Sequence, residues 1–304
     1  MNIINGIVRR IREPSIFFRY GSVKTREKYQ KLSRILRLDV FKQRRLLGEQ
    51  TQSLEGSVTI PEEKGFNLLE PFSLPETRAT VDKARDLLSR ADLDQLKLAS
   101  KKDYLISIPI ESALTPDSPF INLALQPSIL KAASRYMGML PLLTQVQLWH
   151  SPNKDIIEGG SQFFHLDYAD VRQVKIFVFI EEVTHDSGPL TVIPAEDSAS
   201  ICNSINYKLS NKDIRVDDGT VHRIAGGENV QPIVGPAGTI ALVDTCRCFH
   251  LGSRKVNQPR TVLMIQYLSP FAFALPWNYK QGAQYAHLAK SDMPDYAKGA
   301  LGAI

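Results

Sequence analysis

Val174-Lys-Ile-Phe-Val-Phe-Ile-Glu-Glu-Val183 is a long run of β-branched and aromatic residues that stops at His185-Asp-Ser-Gly188-Pro189. Leu190-Thr-Val-Ile-Pro194 then resumes the apolar pattern, as expected of two strands joined by a turn. Upstream, Thr144-Gln-Val-Gln-Leu-Trp-His150 alternates polar and apolar positions. Downstream stand two further runs of strand character, Thr239-Ile-Ala-Leu-Val-Asp244 and Arg260-Thr-Val-Leu-Met-Ile-Gln-Tyr-Leu-Ser269. Five or six strands separated by turn signals, with no helix-length pattern between them, predict an antiparallel sandwich or barrel of the jelly-roll type. Short strands are predicted at Ser57–Ile60, Phe66–Phe72 and Asp103–Ile110. A helix opened by Ser73 and Pro75 buries Val81, Ala84, Leu87, Leu88 and Ala91, and a second runs from Ser128 to Met137 and stops at Gly138. The class is therefore mainly β with flanking helices (α+β). Residues 197–235, with Asp217-Asp-Gly219 and Gly226-Gly227, read as a long loop over one end of the barrel.

Just before the first run stands Ser161-Gln-Phe-Phe-His165-Leu-Asp167-Tyr-Ala-Asp170. In extended backbone, residues two apart project from the same face at roughly 7 Å between Cα atoms, so His165 and Asp167 could share a small cation. A third donor is needed, and His250, at the end of Thr239–His250, is the candidate. Two His and one carboxylate leave three coordination positions open, the arrangement in which non-haem Fe(II) oxygenases take a co-substrate and O2. Arg260 opens a strongly apolar strand, where a guanidinium needs an anion to offset its desolvation. A bidentate carboxylate suits it. If the open positions take a 2-oxo acid through its ketone and C1 carboxylate, the far carboxylate of 2-oxoglutarate reaches deeper, toward Arg260.

Composition sets the frame. A chain of 304 residues, 43% of them hydrophobic, can bury a core, and the simplest division is a basic helical arm over 1–50 and one domain over 51–304. The net charge of +5 is uneven: residues 1–50 hold 13 Lys+Arg against 4 Asp+Glu, and the remainder 24 against 28. Within the arm, Thr25–Leu47 places Tyr29, Leu32, Leu36, Val40 and Leu47 at helical spacing. Such a helix can pack on its own domain, lie on an anionic membrane surface, or hold an acidic partner. Aromatic interleaving is missing, so no nucleic acid is expected. Cys202, Cys246 and Cys248 form no disulfide framework and point to a reducing compartment. No run approaches the ~18 apolar residues of a membrane span. Met1–Arg10 lacks the marks of a secretory signal, so a cytoplasmic protein with a small-molecule substrate is expected.

Phe164-His-Leu-Asp167, Val174–Ile180, Asp186-Ser-Gly-Pro-Leu190, His250 and Arg260, taken in order, resemble the phytanoyl-CoA dioxygenase family of Fe(II)/2-oxoglutarate oxygenases, over about residues 66–272. The resemblance implies a double-stranded β-helix (jelly-roll, cupin-like) core. It also implies iron ligands at His165, Asp167 and His250, and a clamp for the 2-oxoglutarate C5 carboxylate at Arg260. The reaction implied is hydroxylation of a C–H bond of a small organic substrate by O2, with release of succinate and CO2. Leu166, between the first two ligands, cannot hydrogen-bond a co-substrate, so the C1 carboxylate falls to Gln147 or Lys175. Many relatives continue with Gly-Ser-His where this chain has Ala195-Glu-Asp197, which changes the loop contacts. A carboxylate at position 167 leaves no vacancy for a halide and favours oxygen transfer over halogenation.

Among the remaining residues, Tyr168 and Asp170, beside the ligands, are candidates to face the substrate. His222 could be carried inward by a lid, against a default of solvent exposure. Trp277 could cover the substrate or strap the C-terminus to the barrel. His150 reads as structural, His185 as exposed, and Asp244 as a turn residue or a partner of the ligands. Two alternatives stay open: a jelly-roll enzyme using another metal without 2-oxoglutarate, and a non-catalytic ligand-binding barrel.

Overall fold

Alternate apolar positions build the larger of two facing antiparallel sheets. The computed structural model describes residues 20–100, 102–152, 159–210, 214–254, 257–275 and 284–304. The strands are β1 (Gly21–Ser22), β2 (Phe66–Leu69), β3 (Ile106–Ile108), β4 (Leu142–Ser151), β5 (Phe164–His165), β6 (Gln173–Phe179), β7 (Thr191–Val192), β8 (Lys208–Leu209), β9 (Arg215–Val216), β10 (Gln231–Pro232), β11 (Ile240–Val243), β12 (His250–Leu251) and β13 (Arg260–Leu268). The helices are α1 (Val23–Leu36), α2 (Leu38–Gln52), α3 (Thr77–Ser89), α4 (Leu93–Ala99), α5 (Pro119–Ala124), α6 (Pro127–Met137), α7 (Ala195–Ser204), α8 (Asp218–Ala225) and α9 (Asp295–Leu301).

The larger sheet runs β2-β11-β6-β13-β4-β3 and the smaller β10-β7-β12-β5-β9, with a separate β1-β8 pair; every pairing is antiparallel. Val146, Leu148, Ile176, Val178, Leu263 and Ile265 share one core with helical residues such as Phe120, Leu130 and Ala133. The opposite face sends Phe179, Ala241, Val243 and Val262 into a second core with Leu190, Val192 and Ile233 around the smaller sheet. Both faces of the central strands are covered, which is why β6 and β13 read as nearly unbroken apolar runs.

Helix α6 follows its sequence signals: Pro127 stands in its first turn and Gly138 closes it at φ 71°. Other expectations are corrected. The interval 197–235 is not one loop but carries α7, α8 and β8–β10, with α8 capped by the Asp217 side chain, which accepts from the Thr220 N–H. Ser57–Ile60 forms no strand, and Asp103–Ile110 shortens to β3. The helix over Thr25–Leu47 breaks at Arg37 (φ −127°, ψ 51°) into α1 and α2. Helix α1 also lies the other way round: Arg26, Gln30 and Ser33 are buried, while Leu32 and Leu36 are 40% and 53% exposed. The surface it covers is largely polar. Arg26 donates to the carbonyls of Tyr168 (2.7 Å) and Asp170 (3.0 Å), and Gln30 donates to the Asp170 carboxylate.

Two fully buried carboxyls make the stability pH-dependent. Asp244 accepts from the Tyr136 hydroxyl (2.9 Å) and from the N–H groups of Cys246 (3.0 Å) and Gln173 (3.2 Å), and burial lifts it to about 7. Burial lifts Asp170 to about 6. Both sit above the ordinary 3.8, so the folded state keeps protons that the unfolded chain has lost. Their contribution to stability is full below about pH 4 and is lost as pH rises through about 6 and 7. Urea titrations of Asp244→Asn are expected to show a shallower fall of stability over that range, by an amount on the order of a few kcal/mol. Parallel curves for the two proteins would rule this out. Among the described residues no helix is long and apolar enough to cross a membrane.

Candidate metal centre and adjoining cavities

The two histidines, 85 positions apart, are brought together by one strand pair. Strand β12 lies against β5 with His250 directly opposite His165, and the ring centroids are 4.3 Å apart. Each ring is held the same way: Nδ1 of His165 lies 2.8 Å from the carbonyl of Phe163, and Nδ1 of His250 lies 3.1 Å from that of Cys248. A carbonyl oxygen only accepts, so Nδ1 carries the proton in both rings and Nε2 presents a bare lone pair. The His165 Nε2 stands 3.9 Å from Asp167 Oδ1. One donor atom from each of His165, Asp167 and His250 lies within 4.8 Å of the others.

The carboxylate is polarised between its two oxygens. Oδ2 of Asp167 accepts from Gln173 Nε2 (2.7 Å), Lys175 Nζ (2.7 Å) and Thr245 Oγ1 (2.5 Å), which leaves Oδ1 for the cluster. Burial alone would raise the Asp167 carboxyl, but the Lys175 cation and the adjacent imidazoles hold it far below the usual range. Burial, helped by His165 next to it, pushes His250 down to about 3, and burial also lowers His165. At neutral pH the site thus holds two neutral imidazoles and one anion, the donor set a divalent cation takes without displacing protons.

A cavity of about 300 Å³ lies between the sheets, bordered by the three donors, by Trp149, Phe177, Phe179 and Met264, and by Arg260. The Arg260 side chain is 7% exposed. Its Nη2 donates to Ser253 Oγ (3.2 Å) and Ser151 Oγ (3.5 Å), while Nε has no partner among the described residues. Burial lowers its pKa to about 10, so it stays cationic, and no carboxylate pairs with it among the described residues. Gln147 and Lys175 border the same cavity. Lys175 is engaged by Asp167, whereas the Gln147 carboxamide has no hydrogen bond among the described residues.

A second cavity, of about 430 Å³, shares Gln145, Asp167 and Lys175 with the first and is lined further by Thr144, Tyr168 and Gln266. Tyr168 therefore stands at a cavity wall, but Asp170 does not. Its carboxylate is fully buried and accepts from the N–H groups of Val171 (2.7 Å) and Ser269 (2.9 Å), so it ties chain segments together instead of facing a substrate. His222 is exposed on α8 and borders neither cavity, because the expected lid is a helix packed on α7. His150 is buried, with Nδ1 2.9 Å from the Thr261 hydroxyl. Trp277 lies outside the described residues. Sequence reasoning missed Gln173 and Thr245; the alternation that puts Lys175 and Phe177 toward the cavity also points Gln173 there.

No family model matches the chain. It is 30% identical over 136 residues to L-proline trans-4-hydroxylase from Streptomyces griseoviridis, a match covering 38% of this chain. The chain spans half the length of that relative, 50% of which is covered. Among solved structures, EctD from S. alaskensis with 2-oxoglutarate and 5-hydroxyectoine has a TM-score of 0.52 at 19% identity, over 82% of this chain and 90% of that one, a likeness of fold. HygX from Streptomyces hygroscopicus, with nickel, 2-oxoglutarate and hygromycin B bound, has a TM-score of 0.46 at 14% identity, over 69% and 84% of the two chains.

Proposed function

We propose that this chain is an Fe(II)- and 2-oxoglutarate-dependent dioxygenase that hydroxylates a C–H bond of a small organic substrate. One observation carries the reading: two bare Nε2 atoms and one free carboxylate oxygen converge on a cavity that also holds a buried cation with no anion beside it among the described residues. His165, Asp167 and His250 are the metal ligands. The residues fit the co-substrate as well, since Arg260, with its orphaned Nε, meets the C5 carboxylate, and Gln147 or Lys175 meets the C1 carboxylate. When bound, iron and 2-oxoglutarate supply the O2-dependent oxidation, in which the 2-oxo acid leaves as succinate and CO2 and the substrate gains a hydroxyl.

The protein's own part is geometric. Trp149, Phe177, Phe179 and Met264 line the first cavity with apolar surface beside the donors. The second cavity, with Thr144, Gln145 and Tyr168 on its walls, receives a small polar substrate beside Asp167. Similarity to an L-proline trans-4-hydroxylase supports this class of reaction. On this reading the two sheets are the halves of a double-stranded β-helix, or jelly roll. Three free cysteines, two of them buried, support a reducing compartment such as the cytoplasm.

The test is an anaerobic calorimetric titration with Fe(II) and then 2-oxoglutarate, followed by admission of O2 and a metabolite screen for succinate release. Binding of both and substrate-stimulated succinate are expected. Metal binding without 2-oxoglutarate binding would replace this reading with another metal enzyme, and binding of neither with a ligand-binding barrel.

A further inference from the structure

Of the large hydrophobic side chains exposed among the described residues, Tyr20, Leu32, Ile35, Leu36, Leu38 and Leu46 all fall within one segment of the chain, and Ile35 and Leu46 are 69% and 59% exposed. Helical geometry puts them opposite a polar anchor. With Arg26, Gln30 and Ser33 turned inward on α1, the outward side carries Leu32 and Ile35 among the exposed Lys24, Lys28 and Lys31, with Leu36 at its edge. The next helix, α2, buries Arg44, Leu47, Gly48 and Thr51 and exposes Leu38 and Leu46 beside Lys42 and Arg45. An apolar face kept in water on a helix held by buried hydrogen bonds marks a binding surface.

We infer that α1 and α2 dock the protein on an anionic lipid bilayer. Leucine and isoleucine interleaved with lysine suits the boundary between headgroups and acyl chains, where apolar side chains sink and lysines extend to phosphate. Charge selects this occupant over others. A second copy of the chain would bring lysine against lysine across a shared face. Residues 1–19 add four arginines against one glutamate to the charge of this segment. An anionic bilayer matches the 13 Lys+Arg against 4 Asp+Glu of residues 1–50. Because Arg26 and Gln30 fix the inner side, the outward side is presented without rearrangement.

Sedimentation of the full chain with phosphatidylcholine vesicles, with and without phosphatidylglycerol, tests this. Binding is expected only with phosphatidylglycerol and is expected to fade at high salt. Leu32→Ser with Ile35→Ser is expected to weaken it roughly tenfold per residue, and Lys28→Gln with Lys31→Gln about fivefold per lysine. Succinate release in free solution should be the same in both double variants, since none of the four residues borders either cavity. The inference is overturned if the full chain stays in the supernatant at low salt, or if the Leu32→Ser/Ile35→Ser variant binds like the parent. It is also overturned if light scattering shows a dimer that this variant dissolves.

Discussion

Asp167→Asn is expected to abolish iron binding and substrate-dependent succinate release together, although the substitution keeps the outline of the side chain. The reason lies in the donors around it. Oδ2 accepts from Gln173, Lys175 and Thr245, while Oδ1 is left for the cluster with the two imidazoles. An asparagine has one acceptor atom to serve both sides. If its oxygen faces the three donors, its NH2 faces the cation; if its oxygen faces the cation, its NH2 confronts the Lys175 ammonium. Either way the loss should exceed the roughly 10- to 100-fold that follows from removing a partner of a metal ligand. Thr245→Val removes only one of the three donors. It is expected to weaken Fe(II) about tenfold while turnover recovers at saturating metal. His165→Ala should match Asp167→Asn, because it deletes one of the two bare Nε2 donors. Full succinate release by either would show that the chemistry lies elsewhere, and a circular-dichroism spectrum and melting temperature compared with the parent's separate a lost site from a misfolded protein.

How much of this was legible in the sequence depends on what each element packs against. Strands β6 and β13 have apolar groups on both sides, so their residues announced the sheet. His165 and Asp167 were paired by a local rule, the common face of residues two apart, and that rule needed no tertiary information. His250 could be nominated but not placed, because its position rests on the register of β12 against β5. Helix α1 shows the opposite failure. Hydrophobic periodicity assumes that the buried side is apolar, and here the buried partners are the carbonyl oxygens of Tyr168 and Asp170, which call for Arg26, and the Asp170 carboxylate, which calls for Gln30. The segment read as a lid failed for a related reason. Helices α7 and α8 bury only Ala195, Ser198 and Ile201, and Val221 and Ala225, too few apolar side chains to outweigh the Gly and Asp signals around them. Asp170, whose place beside the ligands suggests a substrate contact, serves the same polar seam as α1.

Arg260→Met is expected to raise the 2-oxoglutarate requirement steeply while leaving the metal-free protein at least as stable. These two effects point in opposite directions, and together they identify what the guanidinium is for. A buried cation whose Nε lacks a partner among the described residues loses hydration on folding and recovers little of it from two serine hydroxyls. Replacing it with an apolar side chain of similar length removes that cost, and Ser151 and Ser253 remain satisfied by each other at 2.8 Å. With 2-oxoglutarate present the balance reverses. The C5 carboxylate would enter the cavity without a counter-charge, a loss of about 2–5 kcal/mol, or roughly 30-fold to a few thousand-fold in half-saturating concentration. Fe(II) affinity in the absence of 2-oxoglutarate should be unchanged, because Arg260 is not among the donors. Arg260→Lys should fall between, keeping the charge but losing the fork that meets both carboxylate oxygens. In thermal melts, the stabilisation that 2-oxoglutarate confers on the parent should vanish in Arg260→Met. A drop in the melting temperature of the ligand-free variant, with the 2-oxoglutarate requirement unmoved, would make Arg260 a structural cation and leave the cavity without its anchor for a dicarboxylate.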